Sequence, residues 1–240
     1  MEELKSLEVG SHELAVGGNF NDVVLSGMGK IKGSVEAKVV ESNGISSIIG
    51  AVKAQTLMIS GSLSVDKEIE LEHSVNIKGS GTFSKELKCQ EVLVQGSLTM
   101  KGDIKCKIAN INGLLSSKAS FTGDEFKLSG QLDMYGNIRA NIVEINFYEK
   151  STFNEILADT VNITTSHDEK KGLLSKLKLR TMLKCTEIKA KEVFIENVDC
   201  KLIVAEKIII GENCKVEKVE YTEKFEFDKS SEVKETICNK

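Results

Sequence analysis

Proline and tryptophan are absent from all 240 residues, histidine occurs three times, and aromatic residues make up only 5% of the chain. Without proline there are no proline-rich linkers, and nothing would delete a ladder N–H from a central strand. The three histidines, His12, His73 and His167, are far apart in the sequence. Neither a CxxC nor a close Cys/His pair occurs, and GxSxG, Walker and HExxH motifs are missing as well. No stretch approaches the roughly 20 apolar residues of a membrane-spanning helix. The net charge of −4 is mild, so nothing global argues for nucleic acid or an anionic membrane as a partner, and no nucleic acid is expected. The first ten residues, MEELKSLEVG, carry three acids and no apolar core, unlike a secretory signal. The expected location is cytoplasmic.

What the chain does contain is a glycine that returns at a nearly fixed interval. Gly10, Gly27, Gly44, Gly61, Gly79, Gly96, Gly113 and Gly130 are spaced seventeen residues apart, with one step of eighteen. A period of this size signals stacked structural units, each touching mainly its neighbours. Counted from the glycine, position four reads Ile31, Ile48, Val65, Phe83, Met100, Ser117, Met134. Position eight reads Val35, Val52, Ile69, Leu87, Ile104, Phe121, Ile138. Positions thirteen and fifteen are likewise aliphatic or aromatic, as in Leu57 and Ile59 or Val92 and Val94, and position two adds Leu63, Leu98, Leu115 and Leu132. The inward residues thus come in pairs two apart, the strand period, with corners between pairs. Position ten holds small residues (Ala37, Ala54, Cys89, Cys106, Gly123, Ala140), suited to a crowded inner corner. The pattern predicts an all-β chain, a parallel β-helix with triangular turns of about 17 residues. Its glycines are expected at corners that need positive φ.

In the first turn Leu14, Phe20, Val23 and Leu25 take the inward register. Residues 1–165 read as the main body of the coil. The period breaks over 166–184, SHDEKKGLLSKLKLRTMLK, with seven basic residues and two acids. Two readings stand: a short amphipathic helix on Leu173, Leu174 and Leu177, or an alternating strand from Leu177. Lys176, Lys178, Arg180 and Lys184 there make a candidate basic contact surface for lipid headgroups or an acidic partner. Residues 185–240 resume with a shorter period, AKEVFIEN (190–197) returning fifteen residues later as AEKIIIGE (205–212). They are expected to form the closing turns and cap of the same elongated domain.

Catalytic chemistry is hard to place. GMGKIKG (27–33) superficially resembles a phosphate loop, but no helix follows to supply N–H donors and the repeat explains its glycines. The cysteines read as buried small hydrophobes, with Cys185, Cys200 and Cys214 forming a second inward stack. No catalytic, cofactor-binding or metal-binding residue is expected. On the outside, Glu36, Lys53, Glu70 and Lys88 alternate in charge at one position of successive turns. Ile45, Ile49 and Met58 should also point outward, near Met28 and Val39, and are candidates for a lateral contact.

The repeat phrase A-x-x-V-x-I-x-G followed by a second glycine, as in AQTLMISGSLSV (54–65), CQEVLVQGSLTMKGDI (89–104) and GDEFKLSGQLDMYGNI (123–138), resembles the bactofilins. These are polymer-forming bacterial cytoskeletal proteins. The stretch IKAKEVFIENVDCKLIVAEKIIIGENCKVEKVEY (188–221) looks like the tail of a longer Firmicute-type branch. The resemblance implies a right-handed β-helix that joins end to end into non-polar filaments without nucleotide. It also implies a scaffold role in cell shape, envelope or motility processes. Many members carry a hydrophobic N-terminal targeting segment, which MEELKSLEVG does not match.

The expected function is therefore a self-assembling scaffold, not an enzyme, with further copies of itself or a paralogous bactofilin as partner. A peripheral membrane or envelope-protein contact is the other partner that the resemblance suggests. Candidate end-to-end residues are Leu7, Val9, Leu14 and Phe20 at one end and Tyr221, Phe225, Phe227 and Val233 at the other. A β-helical enzyme, acting as an acyltransferase or on polysaccharides, and a carbohydrate-binding solenoid are the alternatives.

Overall fold

The computed structural model describes residues 4–165 and 181–239. They contain strands and turns but no helix, and so none long and apolar enough to cross a membrane. The chain divides into two compact units, Met1–Gly123 and Asp124–Lys240.

In the first unit every strand pairs in parallel with the one a turn later. One face of the coil aligns Ile31, Ile48, Val65, Phe83, Met100 and Ser117 in a single column. A second aligns Val35, Val52, Ile69, Leu87, Ile104 and Phe121. The third aligns Val40, Leu57, Val75, Val92 and Ala109. All these residues are buried, so three columns of branched and aromatic side chains stack ~4.8 Å apart down the interior. Parallel sheets are usually covered on both faces. Here the inner face is dry and the outer face wet, which is why the strands alternate apolar and polar residues. This is the parallel β-helix that the repeat predicts, with roughly 17-residue turns.

The corner glycines are required by contact more often than by φ. Positive φ occurs at Gly27, Gly33, Gly113 and Gly130 among the glycines. At Gly44, Gly61, Gly79 and Gly96 a Cβ would instead fall 2.0–2.2 Å from the carbonyl oxygen of the glycine one turn before. Each of those oxygens accepts the next amide along, such as Ser62 N–H to Gly44 O at 2.7 Å. The column of glycines therefore lets successive corners sit directly on one another.

Two irregularities interrupt the first unit. Opposite the step from Ala54 to Thr56 the chain carries both Glu72 and His73, a bulge that accounts for the one eighteen-residue interval. The second corrects the predicted register of the first turn. A shift between Val16 and Gly18 makes Ala15, not Leu14, the partner of inward Ile31. Leu14 pairs with outward Lys30 and is 56% exposed.

The second unit uses the same stacking with turns of changing length. Ile142–Phe147 pairs with Thr160–Thr165, eighteen residues on. Thr160 then pairs with Glu192, thirty-two residues on. Leu183 and Lys184 already belong to a strand, Leu183–Lys189, paired with Ser151–Thr152. The coil thus resumes two residues before Cys185. Cys185 lies opposite Cys200 after fifteen residues and Cys200 opposite Val216 after sixteen, and the last turn returns to seventeen with Val216 opposite Val233.

Candidate functional site

Chemistry-bearing groups do not converge. Among the described residues no group of three or more His, Cys, Asp or Glu is placed to hold a metal ion. His12 has φ 63° at an exposed corner and His73 sits on the exposed bulge; His167 lies outside the described residues. The segment GMGKIKG runs into the strand Lys30–Ser42. A strand offers no cluster of free N–H donors of the kind a helix start gives a phosphate.

The cysteines divide by burial. Cys89, Cys106, Cys185, Cys200 and Cys214 are buried and Cys238 is exposed; all six are free thiols. Burial pushes the Cys214 thiol up to about 11, and burial together with a hydrogen bond to Cys200 pushes Cys185 up as well. Such groups are poor nucleophiles near neutral pH. Their Sγ atoms meet backbone carbonyls, Cys200 with Leu202 O at 3.3 Å and Cys89 with Glu91 O at 3.4 Å.

The outer charges form short-range ladders. Lys53 meets Glu36 at 3.9 Å and Lys88 meets Glu70 at 3.4 Å across adjacent turns. Lys105, next in that column, instead reaches Glu86 at 2.5 Å, whose hydrogen bond raises the lysine pKa. In the second unit Lys207 is likewise raised by its hydrogen bond to Glu192 at 2.9 Å. Lys184 pairs with Asp199 at 3.8 Å, while Lys176, Lys178 and Arg180 lie outside the described residues. Exposed pairs of this kind favour one register and add little stability.

What remains distinctive is where the ladders stop. In the first unit the strands Leu7–Val9 and Leu14–Asn19 pair only with the turn that follows them, through Asp22–Leu25 and Lys30–Ser42. Among the described residues no strand pairs with their other edges. Val9 is buried, Leu7 and Phe20 are half-buried, and Leu14 faces outward. The Phe20 ring lies over Gly18, 3.5 Å from where a Cβ would stand on that inward residue. A shallow groove of about 210 Å³ runs beside it, lined by Leu4, Phe20, Ala37 and Ala54 and rimmed by Glu36 and Lys53.

In the second unit the last strand, Glu232–Cys238, covers only the Lys215–Tyr221 part of the strand before it. Lys224–Phe227 pairs on one side, with Lys207–Ile210. Over that open stretch Tyr221 and Phe225 approach with ring centroids 5.5 Å apart, and Phe225 and Phe227 stack at 5.5 Å and 16°. Phe227 is 53% exposed. Val233 is half-buried opposite Val216.

Ile45, Ile49 and Met58 point outward as the register requires, Ile45 being 69% exposed. Ile45 and Ile49 share one strand and one face, while Met58 lies on the strand Val52–Ile59 of another face. Sequence reasoning missed Val16, which is 77% exposed on the same face as Ile45 and Ile49. The only signal for it was the Gly17-Gly18 pair beside it. No family model, curated protein or solved structure matches this chain.

Proposed function

We propose that the chain is a structural, self-assembling scaffold that polymerises end to end without nucleotide, the behaviour its resemblance to the bactofilins implies. The observation that carries this reading is the pair of open strand edges. A parallel coil satisfies an interior backbone group with the turn before or after, so among the described residues the strands at these two edges leave ladders incomplete. Such edges recruit another strand unless something blunts them.

The two edges differ in protection. At the first edge Leu14–Asn19, with sequence LAVGGN, has no charged residue, and Leu7–Val9 carries Glu8 alone. At the other edge Lys224, Glu226, Glu232, Lys234 and Glu235 alternate with apolar residues, Lys224 and Glu226 pairing at 3.0 Å. Charged residues on an edge act against indiscriminate pairing. The N-terminal edge is thus the stickier one, and joining like ends gives a filament without polarity. A copy of this chain or a paralogue with the same turn length would fit the edge. A cytoskeletal role in cell shape, envelope or motility processes follows from the resemblance.

Light scattering and electron microscopy of the purified protein, with and without nucleotide, test it. Wild-type protein should form polymers in both conditions. Phe20→Arg and Phe225→Arg should each halt growth at species joined through the remaining end, Phe20→Arg with the larger effect. A wild type that stays monomeric at high concentration would refute assembly. Polymers indifferent to both substitutions would refute the assignment to the ends.

A further inference from the structure

One outer face of the first unit changes character along its length. In its later turns the outward residues are hydroxylic: Ser62 and Ser64, then Ser80 and Thr82, then Ser97 and Thr99. In its first three turns they are aliphatic and basic. Leu14 and Val16 pair with Lys30 and Lys32, which pair with Ser47 and Ile49. Ile45 lies on the same strand as Ile49, and Met28 stands at the adjoining corner, where Gly27 O accepts the Ile45 amide. Leu14, Val16, Met28, Ile45 and Ile49 are 40–77% exposed. Five aliphatic side chains on three successive strands ~4.8 Å apart thus border Lys30 and Lys32 on one face.

The charge within the patch is of one sign. Lys30 and Lys32 are exposed and take part in no ion pair among the described residues. Glu13, next to Leu14 in sequence, is turned back to accept the Gly10 amide at 2.7 Å. In these columns the first outward carboxylate is Asp66, one turn beyond Ile49. Symmetric contact with a second copy through this patch would set lysines against lysines. Aliphatic side chains beside unpaired lysines fit instead a surface that is apolar below and anionic above.

We infer that this face of the first three turns is a docking surface for an anionic lipid bilayer, with Val16, Leu14, Met28, Ile45 and Ile49 entering the acyl boundary and Lys30 and Lys32 meeting lipid phosphates. The inference stands apart from self-assembly, since it uses the outer face and not the strand edges.

Vesicle flotation tests it, because polymers sink while vesicles rise. The full chain is mixed with vesicles of phosphatidylcholine alone or of phosphatidylcholine with one quarter phosphatidylglycerol. Wild-type protein should float with the anionic vesicles, about tenfold more than with the neutral ones, and fall away at high salt. The double variants Val16→Ser with Ile45→Ser, and Lys30→Glu with Lys32→Glu, should each lose about tenfold in flotation while keeping the wild-type circular dichroism spectrum. All four positions are exposed, so the fold does not depend on them. Absence of wild-type flotation would overturn the inference and leave the patch to a protein partner. Flotation that neither double variant weakens would overturn it too.

Discussion

The carbonyl oxygen of Gly27 lies 2.0 Å from where a Cβ on Gly44 would stand, and it accepts the amide of Ile45 at 2.6 Å. No side chain fits at Gly44 without displacing backbone, since real Cβ contacts do not come that close. Gly44→Ala should therefore destabilise by about 1–3 kcal/mol or more, the cost of overpacking a fixed neighbour. Gly10→Ala is the comparison, because the nearest atom there is the movable Glu13 carboxylate at 3.4 Å. Thermal melts should show a clear loss for the first substitution and almost none for the second.

The inward register predicts a contrast between two consecutive residues. Ile104 is 1% exposed between Leu87 and Phe121, whereas Lys105 is outward. Ile104→Asp buries a charge with no partner and should cost several kcal/mol, on the order of 3–5. Lys105→Asp should lower the melting temperature only slightly. Equal melting temperatures would show the register to be wrong.

Thiol chemistry should separate Cys238 from the other five cysteines. In native protein near neutral pH a soluble alkylating reagent should label one thiol per chain, and six after denaturation. Cys214 also makes stability fall with alkali. Its folded pKa of about 11 lies above the ordinary 9.0, so the unfolded chain releases the proton first. The stabilising contribution is complete below about pH 9 and is lost as pH rises toward about 11, on the order of 2–3 kcal/mol. Denaturant midpoints measured across that window should drop less steeply for Cys214→Ala than for wild type.

Deleting His73 removes the residue that makes two positions oppose one, so the seventeen-residue interval is restored. The variant should fold with a melting temperature close to that of wild type. Deleting Val75, two residues on and fully buried, also restores seventeen residues but puts Ser74 opposite Leu57 in the core, so it should lower the melting temperature clearly through the lost aliphatic contacts. Similar melting temperatures for the two deletions would contradict the bulge assignment.

The interior was legible in the sequence because stacked turns repeat the same environment, so Ile31, Ile48, Val65 and Phe83 could be read as one column before any coordinates. The reading failed where a local slip broke the count. Gly17 and Gly18 allow a shift that moves Ala15 inward and Leu14 outward, and no residue type announces a one-residue slip. The glycines were readable as corners, but the reason for most of them was not. Gly44 and Gly61 are fixed by an oxygen one turn away, a contact that needs the assembled coil. The surface was harder still. Val16 and Ile45 are 29 residues apart in sequence and come to share one face only through the pairings of Lys32 with both Val16 and Ile49.

The pairing of Thr160 with Glu192 spans thirty-two residues where neighbouring pairings span fifteen to eighteen, yet Val161 and Val193 still meet in the buried column. The surplus is taken up between Thr165 and Leu183 without disturbing a ladder on either side. That junction is therefore a splice point: a stretch of different length or composition can be exchanged there by insertion or deletion while selection on the core stays silent. Related chains can thus diverge there first, acquiring new attachments on an unchanged coil.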